Sequence, residues 1–153
     1  MNVDTGQILA EVFVDVLERI AFMFGDIVDF NEIPEIEAAC VHAEVSFKGE
    51  INGKVEIIAP LDFCTRLAAN VLGIDPDDEA AERRGIDSLR ELLNITCGNF
   101  LSTIAGNKPV FSVGVPSTRI VPTFDWDTLT RRGGWMSILV DENPVLMRIS
   151  IGE

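Results

Sequence analysis

A carboxylate and a carboxamide, Glu91 and Asn94, lie three residues apart in segment 86–104, whose apolar residues recur at helical spacing. One side of this predicted helix carries the apolar residues Leu89, Leu93, Phe100 and Ile104. The opposite side is a narrow polar stripe that consists of Asp87, Glu91, Asn94, Gly98, Ser102 and Ala105. An ordinary solvated face would carry long charged side chains, and a glycine inside a helix costs about 1 kcal/mol relative to alanine. We therefore predict that the polar stripe docks against another surface and presents Glu91 and Asn94 to it.

The reactive residue types exclude several common chemistries. The sequence has one histidine, His42, and no tyrosine, which excludes Ser-His-Asp and Cys-His catalysis unless His42 acts alone. Because His42 alternates with Val41 and Ala43, we expect it to be a solvent-facing residue on a strand. The three cysteines form no CxxC or CxxH pair, which indicates neither a zinc site nor a disulfide framework. They are predicted to be buried thiols in a reducing compartment, and Cys97 is expected to pack rather than to act as a nucleophile.

The charge balance restricts the partners and the location. Twelve Lys and Arg against 25 Asp and Glu give a formal net charge of −13, which would repel a phosphate backbone and excludes a nucleic-acid partner. The same charge excludes a basic membrane-surface helix. The most apolar stretch, residues 12–24, contains Asp15, Glu18 and Arg19 and is too short to span a membrane. Because the N-terminus has an aspartate and no basic residue, no secretory signal is expected, and the predicted location is cytoplasmic.

Helix signals place the polar stripe in the last of three helical regions. The predicted helices are 5–24, ending at Gly25, then 60–72, with Pro60 at its first position and Gly73 as its stop, and a region from the acidic run 75–79 to Gly106. Gly85 is expected to interrupt the third region. The first helix carries an acidic stripe formed by Glu11, Asp15 and Glu18.

Strand signals complete the fold prediction. The predicted strands are 41–48, 54–59, 110–115, 118–122, 135–140 and 145–151. Asn52-Gly53 predicts a hairpin between the first two strands, and residues 141–144 predict another between the last two. The order of elements predicts an α/β fold of the α+β kind, with helices packed on a mostly antiparallel sheet. Since no linker is long enough to separate two domains, residues 1–153 are predicted to form a single domain.

The polar stripe also resembles a family signature. The pattern Asp87-x3-Glu91-x2-Asn94, followed by Gly98-Asn99 and by Pro116, is similar to that of the CheC/CheX-type chemotaxis phosphatases. There are 21 residues between Asn94 and Pro116, one fewer than in the signature. The first helix has the related spacing Glu11-x3-Asp15-x2-Glu18 but no asparagine, which resembles the CheX branch with its single motif helix. The resemblance implies a CheC/CheX-like fold.

The resemblance also implies an activity, a partner and a role for each residue. The implied substrate is the phospho-aspartate of a response-regulator receiver domain, CheY in the known cases. Asn94 would orient the attacking water, and Glu91 would pair with the active-site lysine of the receiver. Asp87, Gly98 and Ser102 would belong to the surface that binds the partner. The catalytic Mg²⁺ would belong to the receiver, so this chain is expected to need no metal and no cofactor of its own.

Two other functions stay open from the sequence. The same fold without turnover could be a binding module that docks a receiver or a flagellar-switch component, as the structurally related FliM and FliN proteins do. The chain could also be a structural homodimer without a phosphoprotein partner. A homodimer is expected in any case, because CheX-like proteins pair through their sheets and strands 135–140 and 145–151 are predicted to offer a long apolar edge. The basic cluster 131–134 is expected to be a loop.

Overall fold

A computed structural model describes residues 4–106, 110–121 and 133–152. Its helices and strands are, in chain order, α1 Thr5–Ala21, β1 Gly25–Val28, β2 Cys40–Lys48, β3 Gly53–Pro60, α2 Leu61–Leu72, α3 Glu79–Ala105, β4 Ser112–Val113, β5 Ser117–Val121, β6 Met136–Val140 and β7 Asn143–Ile151. A short 3-10 helix, Phe30–Glu32, follows β1. Pro122, at the end of a predicted strand, and Arg131 and Arg132, in the predicted loop, lie outside the described residues. None of the helices in the described ranges is long and apolar enough to cross a membrane.

The strands form one sheet in the order β1-β6-β7-β3-β2-β4, and β5 pairs with β2 beside β4. Every strand pair in the described part of the chain is antiparallel. The three helices pack on one face, where alternate residues of β2 and β3 such as Val41, Ala43, Val55 and Ile57 are fully buried against them. The expected α+β architecture, with helices on a mostly antiparallel sheet, is confirmed.

The other face of the sheet, here called the outer face, is covered at one end by described residues. Ile33 and Ile36, from the segment between β1 and β2, pack there with Ile58, Trp135 and Leu146 in a second apolar cluster. The rest of the outer face carries polar side chains from β2, β3, β5 and β7, such as His42, Glu56, Arg119 and Arg148.

The two C-terminal strands lie inside the sheet. β6 pairs with β1 and β7, and β7 pairs with β6 and β3. The expectation that strands 135–140 and 145–151 offer an apolar edge is therefore wrong, because β1 and β3, which are far away in sequence, flank them on both sides. In the described ranges, the sheet edges are β1 on one side and β4 with β5 on the other.

α1 ends earlier than the sequence predicts. The helix ends at Ala21, and Phe22 adopts the left-handed conformation, with φ 54°, that a glycine usually supplies at this position. Gly25, the predicted stop, is instead the first residue of β1. A Cβ at Gly25 would lie 3.0 Å from a methyl group of Ile138 in β6.

The hairpin of β2 and β3 and the helix α2 match their predicted bounds to within one residue. In the hairpin turn, Asn52 accepts a hydrogen bond through Oδ1 from the backbone N of Gly49 at 3.2 Å. Pro60 caps α2 as the last residue of β3, rather than being the first residue of the helix, and Gly73 ends α2 with φ 70°.

α3 is one continuous helix of 27 residues, capped by Asp78, which accepts a hydrogen bond from the backbone N of Ala80. The expected interruption at Gly85 does not occur. A Cβ at Gly85 would lie 3.2 Å from the backbone carbonyl carbon of Cys64 in α2, so the glycine allows α2 and α3 to approach closely. Gly106 follows the last helical residue, as predicted.

Candidate functional site

The polar stripe lies along the outward side of α3. Leu89, Leu93 and Phe100 are fully buried on the opposite side, and their burial fixes the rotation of the helix on the sheet. Glu91 and Asn94 are consequently exposed. Helical residues three apart are neighbours on the surface, with Cβ atoms about 5–6 Å apart. A rigid helix therefore presents a carboxylate and a carboxamide side by side.

The side chains of Glu91 and Asn94 make no hydrogen bond and no ion pair with the residues that the structure describes. An ionised carboxylate only accepts hydrogen bonds, whereas a carboxamide both donates and accepts them. The pair is therefore free to bind a second molecule. Glu91 can pair with a cationic group of that molecule, and Asn94 can bind a group that needs both a hydrogen-bond donor and an acceptor.

The residues of the stripe beyond Asn94 have small side chains. A Cβ at Gly98 would meet no atom within 4 Å, and Ser102 is exposed one turn further on. Asn99, beside the stripe, donates a hydrogen bond from Nδ2 to the carbonyl of Ile95 at 2.9 Å, which gives it a structural role in the helix. The structure thus places the predicted site residues Asp87, Glu91, Asn94, Gly98 and Ser102 on one exposed surface.

Arg90 joins the stripe to the edge of the sheet. Its Nη1 lies 3.6 Å from Oδ1 of Asp87, and its Nη2 donates a hydrogen bond to Oγ1 of Thr118 in β5 at 3.1 Å. Pro116, the residue before β5 and two residues before Thr118, is half-buried. The spacing of Asp87 and Arg90 on one helix is compatible with their contact, but Thr118 carried no signal in the sequence because it lies 28 residues away.

The acidic stripe of α1 differs from the polar stripe in its contacts. Glu11 accepts a hydrogen bond from Nε2 of Gln7 at 3.2 Å, and Asp15 pairs with Arg19 at 3.0 Å. Glu18 occupies the position that corresponds to Asn94. α1 therefore offers no carboxamide at the position of Asn94, and two of its three carboxylates already have partners on the same helix.

The outer face of the sheet carries a polar network that the sequence did not predict. Glu56 of β3 is 2% exposed and lies 3.1 Å from Nε2 of His42 and 2.9 Å from Nε of Arg148. Arg119 donates a hydrogen bond from Nε to Nδ1 of His42 at 3.3 Å, so Nε2 of His42 carries the hydrogen and donates to Glu56. His42 is therefore half-buried, and the expectation of a solvent-facing histidine is wrong. Arg148 also stacks on Trp135, 4.3 Å from the ring centroid.

Charge pairing dominates this network. Burial by itself would raise the pKa of Glu56, but the hydrogen bonds with His42 and Arg148 and the charges of Arg148 and Lys54 outweigh it and lower the pKa to about 2. Ligand-type atoms of His42, Glu44 and Glu56 lie within 4.8 Å of one another. Cationic side chains from neighbouring strands already pair with each of them, so the arrangement is a neutralised structural network.

The cysteines are free and buried. Burial raises the pKa of Cys64 to about 12 and that of Cys97 to about 11, which keeps both as thiols at neutral pH. Cys97 is fully buried, as expected for a residue that packs in the core.

Solved structures share this fold at low sequence identity. CheX from Vibrio vulnificus matches with a TM-score of 0.73 at 15% identity, over 99% of this chain and 100% of that chain. CheX from Borrelia burgdorferi, solved in a complex with CheY, BeF3 and Mg²⁺, matches with a TM-score of 0.65 at 18% identity, over 96% of this chain and 97% of that chain. FliY from Thermotoga maritima matches with a TM-score of 0.57 at 12% identity, over 96% and 90% of the two chains. No curated protein matches the sequence.

A family comparison covers the site itself. The model of the family described as chemotaxis phosphatase CheX matches residues 41–123, more than half of the chain. The matched segment includes all of α3 and therefore Glu91 and Asn94, together with the sheet edge that Arg90 contacts. The chain belongs to the CheX family of chemotaxis phosphatases.

Proposed function

We propose that this chain removes the phosphoryl group from the phospho-aspartate of a response-regulator receiver domain of the CheY type. The observation that carries the proposal is the adjacent pair Glu91 and Asn94, exposed and without partners among the described residues, on the rigid helix of a CheX-family chain. The complex of the Borrelia burgdorferi CheX with CheY, BeF3 and Mg²⁺ supports a partner of this class.

Asn94 is the residue that positions water in this proposal. Hydrolysis of an acyl phosphate needs a water molecule in line with the bond that breaks. The carboxamide of Asn94 can accept one hydrogen bond from that water and donate another to its surroundings. Because it is neutral, it does not repel the phosphoryl oxygens. The Mg²⁺ ion that the receiver binds would supply the charge neutralisation.

Glu91 is the residue that fixes the docked register. Its free carboxylate would pair with the active-site lysine of the receiver, and this pair would form before any bond breaks. Asp87 would hold Arg90 beside this contact, as their distance of 3.6 Å supports. Gly98 and Ser102 leave space for the loops of the partner to approach the helix.

The direct test is phosphate release from a panel of phosphorylated receiver domains in the presence of Mg²⁺. The proposal expects release from at least one receiver at a rate well above that of the receiver alone. Binding to a receiver activated with BeF3 without any acceleration would identify a non-catalytic binding module instead. If no receiver shows accelerated phosphate release and none binds, both of these functions are contradicted.

We further propose that the chain is cytoplasmic, needs no metal of its own and forms a homodimer through its sheet. The edge strand β1 pairs only with β6 in the described part of the chain, which leaves backbone groups of Gly25–Val28 to pair with a second copy. Light scattering at micromolar concentration should give twice the 16.8 kDa mass of one chain. The mass of a single chain would contradict the dimer.

A further inference from the structure

An exposed pair of arginines continues the polar stripe toward the N-terminus of α3. Arg84 lies seven residues before Glu91, which is two helical turns and about 10 Å along the same face. Arg83 is its neighbour, and both side chains are exposed. Neither forms an ion pair with a described residue, although Glu79 precedes Arg83 by four positions and Asp87 follows Arg84 by three.

These free arginines are unusual in so acidic a chain. Most of the other described cationic residues already have an acidic or histidine partner, namely Arg19, Lys54, Arg66, Arg90, Arg119 and Arg148. Lys48, at the end of β2, is the remaining one without such a partner. Segment 83–91 holds three arginines against two carboxylates, in a chain with a net charge of −13. Two unpaired cations therefore lie on α3 between Glu91 and the five carboxylates that precede them, namely Asp75, Asp77, Asp78, Glu79 and Glu82.

An apolar rim flanks the stripe along the sheet edge. Val113 and Ile120 lie opposite Phe47 and Val41, whose side chains face the helices, so both point to the helical side of the sheet. Val113 is 36% exposed and Ile120 is 54% exposed. Val115, between β4 and β5, is 91% exposed. The hydrogen bond from Arg90 to Thr118 holds this rim against α3.

The geometry points to a docking surface for the receiver that extends beyond Glu91 and Asn94 in two directions. The arginine pair Arg83 and Arg84 contacts acidic side chains of the receiver about 10 Å from the receiver lysine that pairs with Glu91. The apolar rim of Val113, Val115 and Ile120 contacts an apolar part of the same receiver. This inference rests on the proposed function, since it names the rest of the surface that the same partner covers.

The two parts of the surface act at different stages of binding. Charged side chains in an exposed position steer the encounter and raise the association rate, and salt screens this effect. Apolar contacts act after docking and slow dissociation, and they depend little on salt. Neither part touches the phosphoryl group, so both should affect KM and leave kcat unchanged.

The test measures KM and kcat for release of phosphate from a phosphorylated receiver at low and high NaCl. The double substitution Arg83→Glu with Arg84→Glu should raise KM about tenfold at low salt, and the difference should shrink at high salt. The double substitution Arg19→Glu with Arg66→Glu changes the net charge equally and is the control, because both side chains are exposed on other helices, α1 and α2. Arg66 lies two residues after Cys64, the α2 residue that faces Gly85, and so points away from α3. An equal rise of KM in the control would overturn the arginine contact.

The apolar rim is tested with Val115→Ser and Ile120→Ser, which should each raise KM severalfold at both salt concentrations. Val71→Ser is the control, because Val71 is 48% exposed at the far end of α2. Unchanged KM in the rim variants would overturn this part of the surface. If the unmutated protein neither releases phosphate nor binds a receiver activated with BeF3, the proposed function and this inference both fail. If the unmutated protein releases phosphate and all variants have the same KM as it has, only the inference fails.

Discussion

The side chain of Asn94 is expected to matter for rate and little for binding. Asn94→Ala should remove most of the accelerated phosphate release, about 2–4 kcal/mol of transition-state stabilisation, by comparison with other single positioning groups. Affinity for a receiver activated with BeF3 should change little, because the carboxamide contacts chiefly the water. Stopped-flow phosphate release and fluorescence binding separate the two effects. A folded Asn94→Ala variant that is as fast as the unmutated protein would contradict the role of Asn94.

Glu91 should behave differently, because a charge pair contributes before the chemical step. Glu91→Ala should weaken binding to the activated receiver as well as the rate, with the larger effect at low salt. Titration of the receiver at two NaCl concentrations measures this. The control is Leu93→Ala, which removes a fully buried side chain and should cost about 2–5 kcal/mol of stability. Glu91→Ala should unfold at the same urea concentration as the unmutated protein, since Glu91 is exposed and unpaired.

Local spacing was enough to predict that Glu91 and Asn94 share one exposed face of α3, whereas the network around Glu56 could not be predicted in that way. The helical period places the first two on one face, and the family signature is a pattern of neighbouring positions. His42, Glu56 and Arg148 lie on three strands, and the strand order alone brings them together. Alternation correctly placed His42 on the face away from the helices, but it carries no information about which side chains cover that face.

At the scale of the helices, two glycines of α3 provide a matched pair. Gly98→Ala should stabilise the protein by about 0.5–1 kcal/mol, because alanine favours the helix and its Cβ would meet no atom within 4 Å. Gly85→Ala should destabilise it by about 1–2 kcal/mol, because its Cβ would lie 3.2 Å from the backbone of Cys64 and push α2 away. Urea unfolding followed by circular dichroism at pH 7 measures both. Equal stabilisation by both substitutions would show that α2 can move aside freely.

The same pair shows which element bounds a sequence can predict. The period of 3.6 residues, the Asn-Gly turn and the glycine after α2 are local signals, and the corresponding elements were predicted to within one or two residues. Gly85 was expected to interrupt the helix because the sequence around it does not show the close contact with Cys64 of α2 that requires a glycine there. Phe22 ends α1 in a conformation that local preference disfavours, so the sequence pointed to Gly25 instead.

For the whole molecule, Glu56 makes stability depend on pH in the acid range. Its pKa is lowered from 4.5 to about 2 on folding, so the unfolded chain binds a proton more readily than the folded protein does. The contribution, about 3 kcal/mol at most, is fully present above pH 4.5 and is lost as the pH falls toward 2. Urea unfolding between pH 6 and pH 2 should show this loss. Glu56→Gln should reduce the slope of the free energy of unfolding against pH over this range. The exposed control Glu50→Gln should leave this slope unchanged.

The strand order is the property of the whole molecule that local signals could not supply. The predicted list of strands was nearly complete, yet it put the C-terminal strands at an edge. The sheet places β1 and β3 on either side of them, because the apolar residues of all four strands share one core under the helices. The choice among possible orders depends on that shared burial, which no single segment displays.

The pairing of β1 with β6 has a consequence for synthesis of the chain. Gly25 lies opposite Val140, so more than one hundred residues must be translated before this ladder can form. β3 likewise waits for β7, the last strand among the described residues. Until β6 and β7 have been synthesised, the chain can form its helices and the β2–β3 hairpin, but the apolar side of α1 has no finished sheet to cover it. Completion of the sheet therefore depends on pairings between residues that are distant in sequence, and this high contact order is expected to slow folding.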